Sequence, residues 1–320
     1  MKSFLSIVIP TYNEAHDLKE CLSSIASQEF DKNKIEVIIV DNYSTDKTLE
    51  VAKKFSKELN LKIIFNKIKD AEVSKMNGFK ISNGKFFMYL DADMALADTQ
   101  FVRKMLLPLK NKEIAGVFVR FVVNPKHHPL TRTLSYDSWQ RDPIFRFFTF
   151  SPEQIISKKV NSYYLCNLSI NKIPPQGLMV YRKDLIKNYV KNKSQLIDND
   201  IPVAMVMNGH KKFAYVPDTG VHHHLLRSLY ELSRKRIRNL RRTYFPNENK
   251  RLFRWINWKK DWPKTIIWLI YTSSFVLPIL NSFYRSLRYR DFCLLNESAI
   301  NLVSTYSIVY AIIKNARKKI

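Results

Sequence analysis

The sequence predicts an α/β fold, a parallel sheet covered by helices on both faces, followed by a basic helical region. Three observations carry this. Four short runs, FLSIVIP (4–10), IEVIIVD (35–41), LKIIF (61–65) and KFFMYL (85–90), are rich in apolar residues, as strands buried on both faces are. Helical periods separate them, and strand–helix alternation builds parallel sheets. After His224 the character changes: residues 225–260 carry twelve Lys or Arg.

In order along the chain, the first strand ends at Pro10. Residues 14–27 put Leu18, Leu22 and Ile25 on one helical face. The second strand is followed by STDKTLEVAKKFSKEL (44–59), which opens on capping residues and spaces Leu49, Ala52 and Phe55 helically. The third strand leads to VSKMNGFKISNG (73–84), a short helix closed by glycine, and then to the fourth strand. Further on, 115–123 reads as strand and 124–133 as loop. Residues 177–188 read as strand then helix, 200–211 as a helix closed by Gly209, and 212–224 as strand.

Of the 320 residues, 46% are hydrophobic, enough for a substantial core. The 53 Lys+Arg against 28 Asp+Glu leave a charge of +25 and predict an anionic partner: nucleic acid, an acidic membrane surface or a phosphorylated small molecule. Cys21, Cys166 and Cys293 match no metal spacing and no even disulfide framework, which favours a reducing compartment. The N-terminus has too short an apolar run for a signal peptide and reads as the first strand.

Parallel sheets bind ligands beyond the carboxyl ends of their strands. Three polar clusters fall there: PTYNE (10–14), DNYSTD (41–46) and DAD (91–93). Asp91 and Asp93 stand close enough to repel, and a divalent cation removes that cost. Mg²⁺ or Mn²⁺ bind in this way, through one or two carboxylates plus substrate phosphates. The alternative on spacing alone is that the pair caps a helix near residue 98.

Taken together, IVIPTYNE, VDNYSTDKT and YLDADM resemble the family-two glycosyltransferases, over about residues 4–224. The resemblance implies a GT-A fold, a Rossmann-like nucleotide-diphospho-sugar transferase domain over residues 1–224. It also implies inverting transfer of a sugar from a nucleotide diphosphate, UDP by default. By similarity, Pro10, Thr11, Tyr12 and Glu14 line the nucleoside pocket and Asp41 holds the base. Asp91 lies near the ribose or donor sugar, and Asp93 binds Mn²⁺ or Mg²⁺. Where many relatives have Arg-Asn-x-Gly, this chain has Lys75, Met76, Asn77 and Gly78. Lys75 keeps a charge for the donor there, or is an ordinary solvated lysine. Counting back from Gly209, Asp198 falls at the position of the family's general base, with Ile197 replacing a glutamate and Asp200 as runner-up. Helix capping by Asp198 or Asn199 is compatible with that role. His223, after VPD, matches a histidine that completes the metal or diphosphate site, although three adjacent histidines also suit a structural zinc.

Residues 225–320 form the second expected region. Residues 265–284 run twenty residues without a charge, and 298–313 are a weaker apolar stretch. Two full spans would put Arg285, Arg288 and Arg290 outside, against the positive-inside tendency. A re-entrant pair, or two helices lying in the interface, keeps the basic clusters on the cytoplasmic face of the membrane. Soluble helices packed on the catalytic domain are the alternative. Membrane attachment suggests a lipid-linked glycan or glycolipid acceptor. A polyprenyl-phosphate sugar synthase is a rival. A nucleic-acid-binding protein is another, but no nucleic-acid motif is present. RLFRW (251–255) resembles only the end of the Gln-x-x-Arg-Trp motif of polysaccharide synthases.

Overall fold

The structure, a computed structural model, describes residues 4–137, 143–150, 152–174, 178–247, 251–254 and 256–316. Trp255 of the RLFRW segment lies outside them. The chain divides into two compact units, one of residues 1–122 and 151–224 and the other of 123–150 and 225–320.

The first unit is built on one ten-stranded sheet. In chain order its strands are β1 (Leu5–Thr11), β2 (Ile35–Asp41), β3 (Asn60–Phe65), β4 (Phe86–Tyr89), β5 (Met94–Leu96), β6 (Gly116–Phe121), β7 (Ile156–Val160), β8 (Tyr163–Asn167), β9 (Met179–Arg182) and β10 (Lys212–His223). The spatial order is β3-β2-β1-β4-β9-β6-β10-β8-β7, with β5 paired to β10. The first four strands are parallel, as their patterning predicts. Beyond them the sheet is mixed: β9 runs antiparallel to β4 and β6, and β10 antiparallel to β5 and β8. One further antiparallel pair, β7 with β8, has a local reason. β7 and β8 are joined only by Asn161 and Ser162, too few residues for a parallel crossover, and Asn161 takes the positive φ that such a hairpin needs.

Every residue of β1 and β2 is buried, whereas β3 is an edge strand with an exposed face. Helix α1 (Ala15–Ala26) buries Leu18, Leu22 and Ile25 as its spacing predicts. Helix α2 (Thr48–Phe55) is shorter than the 44–59 expected; at its start the carboxylates of Asp41 and Asp46 accept from the Ser44 and Thr48 N–H groups and tie the preceding residues into a loop. Helix α3 (Ala71–Ile81) is capped by Asp70, whose carboxylate accepts from the Val73 N–H. At Gly78 a Cβ would fall 2.3 Å from a methyl of Val8, so only glycine lets α3 lie this close to β1. At the amino ends of the strands, buried Glu36 accepts from the Ser6 hydroxyl and the Asn83 N–H, pinning β1, β2 and the turn before β4. Burial alone would raise its pKa, but these donors reverse the effect and lower it. Helix α4 (Phe101–Leu106) precedes β6; α7 (Lys183–Val190) and α8 (Asp200–Met207) lie between β9 and β10. Gly209 ends α8 at φ +86°, as expected.

The second unit is helical: α5 (Pro129–Ser135), α6 (Pro143–Phe148), α9 (Leu229–Asn239), α10 (Phe245–Asn247), α11 (Trp258–Ser273), α12 (Val276–Tyr289) and α13 (Asn296–Ala316). Helix α5 replaces part of the loop expected over 124–133; Pro129 occupies its first turn, where proline is favoured. The interior is ionic as well as apolar. Arg146 and Arg285 both pair with Asp137 and Glu297. Asp291 accepts from Arg132 and from the Tyr136 hydroxyl. Arg285, counted by the sequence as a loop charge, is therefore committed to an internal ion pair.

The uncharged run 265–284 does not form one helix. It is broken at Ser274–Phe275, where Phe275 has φ +57°, and α11 and α12 are bent 80° apart. Among the described residues no single helix is long and apolar enough to cross a membrane, but this bent pair has the length and composition together. Helix α12 is reversed in polarity. It buries Pro278, Ser282 and Ser286, while Leu277, Ile279, Leu280, Phe283, Tyr284 and Leu287 are exposed.

Candidate active site

The carboxyl ends of β1 and β2 are laced together by side chains. Asp41 is fully buried; it accepts from the Thr11 hydroxyl at 3.0 Å and from the Ser44 hydroxyl and N–H at 2.6 and 2.8 Å. Pro10 is buried within β1, and Glu14, half-buried, is the N-cap residue of α1, its N–H donating to Thr48 Oγ1. Tyr12 is exposed, and Lys69 donates to its hydroxyl. Asn13 and Tyr43 both take positive φ on the first turns after the strands. For Asn13 this is ordinary, but for a tyrosine it is strained, a feature that clusters at functional sites. The Tyr43 ring packs tilted against Phe65 at 5.5 Å, and both rings are exposed. The sequence reading missed this aromatic pair, although both residues stand at strand ends.

The acidic pair lies on the turn after β4. Neither aspartate caps the helix near 98; Asp98 itself accepts from the Gln100 N–H there. Instead Asp93 meets His223, with Nε2 3.0 Å from Oδ1. The antiparallel pairing of β5 with β10 brings them together by setting His223 opposite Met94. The three adjacent histidines diverge: His222 contacts the Val122 carbonyl, His223 meets Asp93, and His224 lies 2.9 Å from Glu20.

Lys75 is not a solvated lysine. Its side chain is 3% exposed, and its Nζ donates to both oxygens of Asp198, at 2.8 and 2.9 Å. Asp91 lies 3.5 Å away and Glu72 3.9 Å. Burial opposes the charge, but Asp198, Asp91 and Glu72 outweigh it and hold the lysine pKa well above its ordinary value. Asp198 stays partly open, with 28% of its side chain exposed. Asp200, by contrast, is fully buried, 3.5 Å from the Tyr189 hydroxyl. No side chain of Asn199 caps α8.

Comparison with known proteins gives the family and the fold. Residues 6–168 match the model of glycosyl transferase family 2. The glycosyltransferase AglE of Haloferax volcanii is 39% identical over 92 residues, 28% of this chain and 30% of that protein. The poly(ribitol-phosphate) beta-N-acetylglucosaminyltransferase TarS of Staphylococcus aureus is 36% identical over 90 residues, 28% of this chain and 16% of that one. The matched stretches thus span under a third of these relatives' own lengths. Among solved structures, the mannosyltransferase PcManGT from Pyrobaculum calidifontis in complex with GDP-Man and Mn²⁺ superposes with TM-score 0.58 at 14% identity, covering 100% of this chain and 89% of that one. TarS 1–349 in complex with UDP-GlcNAc gives 0.52 at 14% identity, over 98% and 92%. At these identities the structures establish the GT-A fold.

Proposed function

The chain belongs to glycosyl transferase family 2, and from that premise we propose that it moves a sugar, with inversion, from a UDP-linked donor to a hydroxyl of a lipid-linked glycan or glycolipid. One observation carries the reading: at the carboxyl end of the sheet, Asp91 and Asp198 share one buried ammonium, and Asp93 meets His223 on the turn that Asp91 begins. Asp198 takes the proton of the acceptor hydroxyl, whose oxygen attacks the anomeric carbon on the face opposite the leaving diphosphate. Asp91 orients the donor sugar. Pro10, Thr11, Tyr12, Glu14 and Asp41 shape the nucleoside end. One carboxylate and one imidazole meeting at a point suit Mn²⁺ better than all-oxygen Mg²⁺. Asp93 and His223 would hold that ion, which when bound supplies positive charge to the leaving diphosphate.

The second unit supports the acceptor class. Its outward apolar side chains on α11 and α12, with twelve basic residues over 225–260, suit an interfacial position on the anionic cytoplasmic face of a membrane. Titration calorimetry with UDP and GDP, with and without Mn²⁺, tests the donor site. Metal-dependent binding of UDP, abolished in Asp93→Ala, is the expected result. A folded protein that binds neither nucleotide would refute the reading.

A further inference from the structure

We propose that Lys75 is a positioning residue that sets the general base Asp198 against the donor-binding turn, instead of touching the donor itself. The inference rests on the glycosyl-transfer reading above. An ammonium has three N–H donors. Both oxygens of Asp198 lie within 2.9 Å of it, and the Asp91 carboxylate stands 3.5 Å away. The side chain is 3% exposed and its head is ringed by the carboxylates of Asp198, Asp91 and Glu72, so no open face is left for a phosphate.

The placement is rigid on one side and adjustable on the other. Lys75 sits one turn before Gly78, where α3 is pressed against β1 with no room for a Cβ. Asp198 lies in the segment before α8, whose backbone is tied to α3 through the Leu196 N–H and the Glu72 carbonyl. A base must be held within a fraction of an ångström of its productive geometry, and a segment without regular structure does not secure that alone. Lys75 supplies the missing constraint from the helix. The groups around it are Glu72 on its own helix, Tyr89 on β4, Asp91 after β4, Tyr181 on β9 and Asp198 itself. Three of these are carboxylates, so the ammonium stays charged as the acceptor proton is taken up.

The test uses the full chain with UDP-GlcNAc and GDP-mannose, Mn²⁺ and water as acceptor. A water oxygen bonds to the anomeric carbon and the bond from that carbon to the diphosphate breaks. The electron pair leaves with the diphosphate and the water proton goes to Asp198. In Lys75→Gln, UDP or GDP affinity is expected to stay within about threefold while kcat falls about 100-fold. The acid limb of the kcat profile should move up by about one pH unit or more, and Lys75→Arg should recover part of the rate. Loss of nucleotide affinity equal to the loss in kcat/KM, with kcat and the pH profile intact, would make Lys75 a phosphate ligand and overturn the proposal.

A carbon-13 titration of the aspartate carboxyls, with Asp198→Asn identifying the resonance, needs no turnover. A midpoint that rises in Lys75→Gln supports the coupling, and an unmoved midpoint overturns it. Wild-type protein that binds no nucleotide would sink the transfer reading, while this titration still decides on Lys75.

Discussion

The two units dispose of the same kinds of residue in opposite ways. In the first, α1 turns Leu18, Leu22 and Ile25 inward, and its open carboxylates gather at one rim of the sheet. In the second, α12 buries a proline and two serines and turns six large side chains outward, while Arg146, Arg285, Asp137 and Glu297 pair inside. Burying a large apolar side chain is worth about 1.5–3 kcal/mol. Six left about half open forgo on the order of 5–9 kcal/mol, comparable to the stability of a small domain. A helix built this way calls for an apolar neighbour, which the membrane proposal supplies. Ser282 and Ser286 fit that picture, since their hydroxyls donate to carbonyls of their own helix and need no water.

The contrast can be sharpened or broken by experiment. The largest effect belongs to the rim of the first unit. Asp198→Asn should lower kcat by up to about 10⁴-fold and leave nucleotide binding intact in calorimetry; a fall below about tenfold would remove this carboxylate from the chemistry. In the second unit charge is structural. Glu297→Ala leaves Arg146 and Arg285 short of a partner and should cost about 3–5 kcal/mol in denaturant unfolding. An unchanged midpoint would erase the distinction between the units.

Next comes the outward face. Replacing Leu277, Leu280 and Phe283 together by serine should weaken sedimentation with phosphatidylglycerol vesicles at least about tenfold. Folding and UDP affinity should hold; equal vesicle binding would leave the face without its lipid role. The smallest effect is in acid. Partial burial would raise the Asp291 pKa, but Tyr136, the Cys293 N–H and Arg132 lower it from 3.8 to about 2. Its stabilising effect is therefore full above pH 3.8 and fades as pH falls through about 2. Asp291→Asn should flatten that limb of the unfolding curve.

Much of this was legible in the residues. β1, β2 and β4 announced themselves as apolar runs, and Gly209 marked the end of α8 through its conformational freedom. The order PTYNE, DNYSTD, DAD implied one rim because strand ends in a parallel sheet converge. Strand direction beyond β4 was not legible. β5 is three residues long, and the β7–β8 hairpin alternates weakly; only Asn161, at a two-residue turn, offered a local signal. Pro129 could have marked α5, but its neighbours His127 and His128 read as loop. The pairing of Lys75 with Asp198 was beyond sequence patterning, because 123 positions separate them and neither residue signals a partner. The same holds for the break at Phe275, where a bulky residue takes a backbone conformation that glycine usually occupies.

The join between β5 and β10 also orders events in time. Asp93 emerges from the ribosome early, and His223 follows 130 residues later. At ordinary rates of synthesis that is about 6–26 s, during which the acidic turn exists without its imidazole. β6, β8 and β5 wait for the same late strand. On the proposed Mn²⁺ site, nascent chains stalled before residue 223 should hold the ion far more weakly than those released beyond it, so that metal capture would report the final stage of this unit's birth.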